Sequence, residues 1–415
     1  MRKHYDKQRR FDCTPISELV LNFDCRDEII PVLAGLQYVY TTSSLRNTVV
    51  DLVAQDINGE SRRDVGRPGL DDWQVVVLAG VRLGCNYDYD KLQDQAENHR
   101  SLRTMLGAGE WNADSFTARR IRDTLCQLHP KTLEAINHAI VSAGHELDPD
   151  AATSVRGDSF VVETNIHYPT ESGLILDGMR KIIPLCAELA TELDVSGWRQ
   201  NKQLLKRIKE HARSIAQISG STSPKVLEGL PRAYERLLDR SASILDRAEA
   251  LLEQGETDGF TPHALMLAER LRDWIKLTRQ VCDTAFRRVI LKEEVPNCDK
   301  LFSLFETHTQ LYRRGKAATP NQFGRLVFVF EDGRGFISHY HFMDREALDA
   351  DVVVDETRKA QKKHRGAIET ASFDRGFYSA ENEKELAKIV NEPCVPPRHP
   401  QQYAERVANG SVEFH

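Results

Sequence analysis

The chain lacks any apolar run near the roughly 18 residues that a membrane helix needs, so no membrane partner is expected. Its first residues, "MRKHYDKQRRFDC", are basic but have no apolar core. That argues against a secretory signal and for a cytoplasmic location. No two of the eight cysteines, at 13, 25, 85, 126, 186, 282, 298 and 394, form a C-x-x-C pair. Neither a zinc cluster nor a redox pair is thereby signalled, and the thiols read as reduced and mostly buried. G-x-S-x-G is absent, and no strand, glycine loop and helix follow one another as a nucleotide fold requires. The formal net charge of −6 leaves no general positive coat. A local basic face for nucleic acid stays open, because binding needs a patch rather than a basic total.

What is there describes an ordinary globular protein, 40% apolar and 28% charged. A length of 415 residues calls for two or three domains. Residues 17 to about 146 read as helical, including "WNADSFTARRIRDTLCQLHPKTLEAINHAIVSAG", which holds two helices. Asp114 or Ser115 is expected to cap the first, Pro130 to open the second and Gly144 to close it. Arg119, Arg120 and Arg122 cluster on the first helix. The pair reads as a packed hairpin, with a DNA-binding helix-turn-helix as the alternative.

The pattern turns β-like over about 153–168 and returns to helix from about 172 to 293. Leu205, Ile208, Ala212 and Ile215 make one helical stripe, which "GSTSP" ends. Tyr234, Leu237, Ser241, Ile244, Ala248 and Leu251 make a second, and Leu267, Leu271, Trp274 and Val281 a third. Lys202, Lys206, Arg207, Lys209 and Arg213 read as a solvated polar face or a DNA-facing one. Beyond 300, "RLVFVFEDGRGFISHYHF" predicts a hairpin turning at Asp332-Gly333. A helix at about 346–364 follows, ending in the basic run "RKAQKKHRG". Next come a buried strand, a tight turn at Asp374-Arg375-Gly376, and a helix starting near Ser379.

The chemistry centres on "VRGDSFVVETNIHYPTES" and its Arg156-Gly157-Asp158 tripeptide. An adhesion role needs an extracellular loop, which the cytoplasmic expectation removes. A sheet that sets carboxylates on adjacent strands can hold two hard divalent cations for in-line phosphoryl displacement. Spacing alone does not separate Asp158 and Asp374 from the many strand-end aspartates that merely shape turns. Glu163, at an odd offset from Asp158, projects to the opposite strand face and reads as supporting. His339 and His341 face the same way but have no third ligand at matching spacing, so they read as a sheet-face pair.

Three segments, "GDSFVVETNIHYPTESGLILDGMRKI", "RRGKAATPNQFGRLVFVFE" and "DRGFYSAENEKEL", resemble successive motifs of bacterial insertion-sequence DDE transposases. The resemblance runs from the helical region near 70 to the segment after Asp374. It implies a helix-rich α+β chain, with a helical DNA-binding domain over 1–150. A ribonuclease H-like α/β core follows over 151–415, interrupted by an all-helical insertion at about 172–295. Matched position by position, Asp158 and Asp374 are the first and second catalytic, metal-binding aspartates. They would serve a pair of Mg²⁺ (or Mn²⁺) ions.

Arg314 and Lys316 fall where the family places basic residues ahead of a core strand. Lys316 is then a phosphate contact or a plain surface lysine. The implied activity is metal-dependent cleavage and strand transfer at terminal inverted repeats. The implied partners are double-stranded DNA, as repeats and as target, and a second copy in a homodimer on DNA, with the protein nucleoid-associated.

The family also uses a third carboxylate in a motif like "HPGVESAI", which does not occur here. Glu405 and Glu413 are late candidates without that context. This departure keeps a truncated, catalytically inactive product that binds DNA or a full-length partner as one alternative. A nuclease on the same core is another.

Overall fold

The computed structural model describes residues 4–5, 13–59, 69–109, 116–313 and 320–397. Contacts divide the chain into two compact units. The first comprises Met1–Asp158, Val329–Tyr340 and Val353–His415, and the second Ser159–Phe328 and His341–Val352. The boundary expected at 150 falls inside the first unit.

Among its described residues the first unit has the helices α1 (Ile29–Thr41), α2 (Ser43–Asn58), α3 (Asp72–Gly84), α4 (Tyr89–Asn98), α5 (Arg100–Met105), α6 (Ala118–Leu125) and α7 (Pro130–Leu147) ahead of its strands. Their apolar stripes converge on a core that includes Leu33, Val49, Val77, Leu92, Leu102 and Phe116. Local signals place the ends. Asp71 and Gln74 form a reciprocal capping box at the start of α3. Asp72, 1% exposed, is held there by the Asn58 amide and His4.

The region of Arg119 departs from expectation in three ways. Asp114 and Ser115 lie outside the described residues, and α6 is capped by Thr117, whose side chain accepts from the Arg120 N–H. Pro130 opens α7 as expected, but the helix runs through Gly144 to Leu147. Gly144 serves instead as the seat for the Phe336 ring, which a Cβ would meet at 3.2 Å. Finally, α6 packs on α3 and α4 while α7 packs on α2, so the two do not form the packed hairpin.

The second unit is dominated by α8 (Glu171–Glu192), α9 (Asn201–Ser219), α10 (Pro224–Leu227), α11 (Leu230–Asp258) and α12 (Pro262–Ala285), which ends in a π-helical turn at Phe286–Ile290. The predicted stripes are its core. Ile208, Ile215, Leu237, Ile244, Leu251, Leu267 and Leu271 are all buried; at the start of α9, Leu204 rather than Leu205 takes the inward place. Helices α8 and α12 approach closely because Gly178 has no side chain; a Cβ there would lie 2.1 Å from Thr278 Oγ1.

Six strands complete the fold, namely β1 (Ser154–Glu163), β2 (Gln310–Tyr312), β3 (Gln322–Asp332), β4 (Ile337–Phe342), β5 (Thr370–Phe373) and β6 (Glu392–Cys394). The sheet order is β2-β3-β1-β5-β6, with β4 also on β3. β1 pairs in parallel with β5, and β5 with β6. β1 and β3 run in opposite directions, since Thr164 meets Phe323 at one end and Arg156 meets Glu331 at the other. Gly324 of β3 is required where the backbone of Val162 passes, 2.0 Å from where a Cβ would be. The predicted hairpin is β3–β4, and the predicted polar helix is α13 (Asp349–Lys363). Helix α14 (Ala380–Leu386) starts at Ser379, whose hydroxyl accepts from the Asn382 N–H.

The eight cysteines form no disulfide, and only Cys85 and Cys186 among them are buried, against the expectation that most would be.

Candidate functional site

Strand β1 alternates strictly between buried and exposed residues, because one face packs on the core. Ser154, Arg156 and Asp158 share the exposed face. In the parallel ladder Arg156 lies opposite Ser372, and Gly157 opposite Phe373. The next residue on β1 is Asp158 and the next after β5 is Asp374, both exposed. Neighbouring strands lie roughly 4.8 Å apart. Asp158 thus follows the last paired residue midway along β1, and Asp374 follows its partner just past the end of β5.

The turn that carries Asp374 is fixed by packing. Asp374 Oδ1 accepts from the Gly376 N–H at 2.7 Å and so caps a short 3₁₀ turn over Arg375–Phe377. Phe377, fully buried, packs on Phe373 at 5.6 Å between ring centroids, and Phe373 packs on Phe330 at 5.8 Å. This column of three rings anchors the strand end, leaving the carboxylate at the surface. An Arg156–Glu331 ion pair of 2.6 Å lies two residues before Asp158. It is solvent-exposed, so it adds little stability, though it sets a cation beside the acidic end of the strand.

Oxygen-only donors on adjacent strands suit a hard divalent cation, and a carboxylate that already accepts one N–H keeps lone pairs for a metal. Among the described residues, no group of three or more histidine, cysteine or acidic side chains is arranged to hold an ion. Glu405, Glu413, Arg314 and Lys316 lie outside the described residues. Glu163, at the end of β1, is exposed.

The two strand histidines part company. His339 is buried, and its Nε2 bonds to Glu356 Oε2 of α13 at 2.6 Å, while Glu356 Oε1 takes Lys359. This contact ties β4 to α13.

Sequence reasoning missed a second ionic contact of this kind. Asp332, whose side chain is inaccessible, accepts from the backbone N–H groups of Arg334 and Phe336 and bonds to His145 Nε2 at 2.7 Å. His364 stacks near His145 at 5.0 Å between rings. Burial, reinforced by His145 and His339, pushes the His364 pKa below its ordinary 6.5. The signal in the sequence was the hairpin-turn aspartate itself, but nothing there named a histidine so far up the chain. Part of the basic tail of α13 is likewise absorbed, with Lys363 on Glu134 at 2.8 Å. Lys202, Lys206, Arg207, Lys209 and Arg213 remain exposed on α9.

Compared with family models, curated proteins and solved structures, the chain matches none.

Proposed function

We propose that this protein is a DDE-type DNA transposase, cutting and joining DNA at the ends of a mobile element. The observation that supports the reading is the β1–β5 register, in which Gly157 pairs with Phe373, the residues that immediately precede Asp158 and Asp374. On that register, two residues singled out from motifs far apart in the chain would come near enough to share an ion. Most strand-end aspartates have no such partner.

The strand order lends support. A central β1 with an antiparallel hairpin on one side and two parallel strands on the other is compatible with a ribonuclease H-like core. The helices α8–α12, over residues 171–285, would be its insertion.

Asp158 and Asp374 are the residues that would hold Mg²⁺ or Mn²⁺. Bound there, such ions supply Lewis-acid stabilisation of the attacking and leaving oxygens in phosphoryl transfer. The chain's own contribution is positional. The β1–β5 ladder fixes the spacing of the carboxylates, and the Gly376 N–H holds Asp374 in one rotamer. Cleavage adds water to the phosphorus and releases a 3′-hydroxyl. In joining, that hydroxyl attacks a target phosphodiester, expelling another 3′-oxygen, with no covalent protein intermediate. Exposed cations, those of α9 among them, would neutralise phosphates, so DNA affinity should fall steeply with salt.

The test incubates the protein with DNA carrying the sequences that flank its gene, with Mg²⁺ or with EDTA. Metal-dependent nicks at the element's ends, and joined products from pre-cleaved ends, bear the proposal out. Cutting without joining indicates a nuclease on the same core. Binding without either reaction indicates a catalytically silent DNA-binding product.

A further inference from the structure

At the N-terminus of α8, within the second unit, Pro169, Glu171, Leu174, Val281, Thr284, Arg288, Lys300, Leu301 and Phe302 line a cavity of about 60 Å³. Metabolite pockets run to roughly 300–1,000 Å³, so a nucleotide or cofactor does not fit, whereas a single small ionic group does. Leu174 and Val281 are apolar members of its lining. Its walls carry charge.

Three features select an anion. The α8 N-terminus brings the positive end of a 22-residue helix to the cavity. Arg288 projects from the π-helical turn that ends α12, and π-turns are rare and concentrate at functional sites. Lys300 is drawn in beside it, donating to Asn297 Oδ1 at 3.2 Å. Burial and the nearby cations Arg288 and Arg313 push the Lys300 pKa below its usual 10.5, with Glu294 opposing. Cations gathered at that cost are best repaid by an anion. Glu171 already gives Arg288 a carboxylate partner, in effect an internal substitute for such a ligand.

The rim indicates where the anion comes from. Tyr168, next in sequence to Pro169, is 67% exposed, and its ring meets Phe323 edge-on at 5.5 Å. Phe323 in turn packs on Phe302 of the cavity at 5.5 Å. An exposed aromatic beside clustered cations is the usual composition of a nucleic-acid strand site.

We infer that this cavity binds a phosphate group through Arg288 and Lys300, and that the group is a phosphodiester of a nucleic-acid strand. The nucleic-acid half of the inference rests on the proposed function; the phosphate half does not.

Full-length wild type, Lys300→Gln and Glu171→Gln are titrated calorimetrically with inorganic phosphate. They are then titrated with a labelled duplex oligonucleotide between 50 and 200 mM salt. Lys300→Gln is expected to weaken phosphate binding severalfold and to lower the salt slope of duplex binding by about 0.9, the share of one phosphate. Glu171→Gln is expected to tighten phosphate binding, because it frees Arg288; a merely structural Arg288–Glu171 clamp would give no such gain. Phosphate binding that depends on Lys300 while the duplex slope stays unchanged assigns the site to a free phosphate and overturns the nucleic-acid half. Equal phosphate affinity in all three proteins overturns the site. Should Lys300→Gln unfold, the Glu171→Gln titration decides alone, and no gain there sinks the inference. Neither readout needs metal or cleavage, so the outcome is independent of Asp158 and Asp374.

Discussion

Two acidic regions of the first unit use the same side chains for opposite ends. Under the hairpin turn, Asp332 and Glu356 are buried, and each is bonded to a histidine. Asp158, midway along β1, and Asp374, just past β5, are exposed, each one residue beyond the Gly157–Phe373 pair. Burial with complete partners marks a carboxylate that holds structure together. Exposed carboxylates carried by neighbouring paired strands suit a divalent cation. Position and surroundings, rather than residue type, separate the two roles.

The sharpest way to break this contrast is to exchange the effects. Asp158→Asn is expected to lower Mg²⁺-dependent DNA cleavage by on the order of a thousandfold or more. It should shift unfolding free energy by only about 0.5 kcal/mol, as exposed substitutions do. Urea titration and a cleavage assay on the same preparation check both halves.

Asp332→Ala should do the reverse. It removes the acceptor for two backbone N–H groups and His145, so a loss of about 3–5 kcal/mol is expected in urea unfolding. Any folded fraction should keep its metal response.

Next in size is a packing effect away from both acidic regions. Gly178→Ala drives a methyl group into Thr278 and should cost about 1–3 kcal/mol by thermal unfolding. Adding Thr278→Ala should recover most of it.

The smallest expected effect is on pH dependence. The His364 pKa lies below 6.5 in the folded chain, so the folded state refuses a proton that the unfolded state accepts. This contribution is complete above pH 6.5 and declines as pH falls from there towards the lowered value. The slope should stay within about 1.4 kcal/mol per pH unit. His364→Gln should flatten it in melting curves taken from pH 7 to pH 5, while changes at Asp158 or Asp374 should not.

Much of the fold was legible because its signals are local. The helical stripes of α9, α11 and α12, the Asp332-Gly333 turn, and the Ser379 cap each depend on residues a few positions apart. The Asp158 and Asp374 positions were legible as motifs. Their register was not, since strand pairing over such a separation leaves no periodic trace. Gly144 misled because a glycine late in a helix usually ends it; here the helix continues so that His145 can reach Asp332. The separate docking of α6 and α7 was equally invisible, because short amphipathic helices do not name their neighbours. The Arg288–Lys300 cavity joins a helix start, a π-turn and a loop, none of which stands out alone.

The most direct measurement is anomalous diffraction from crystals soaked in Mn²⁺. A Mn²⁺ peak coordinated by oxygens of both Asp158 and Asp374, at about 2.2 Å, is the expected result. Occupied Mn²⁺ sites elsewhere with none between these two carboxylates, or the two side chains turned to opposite faces of the sheet, would contradict the account.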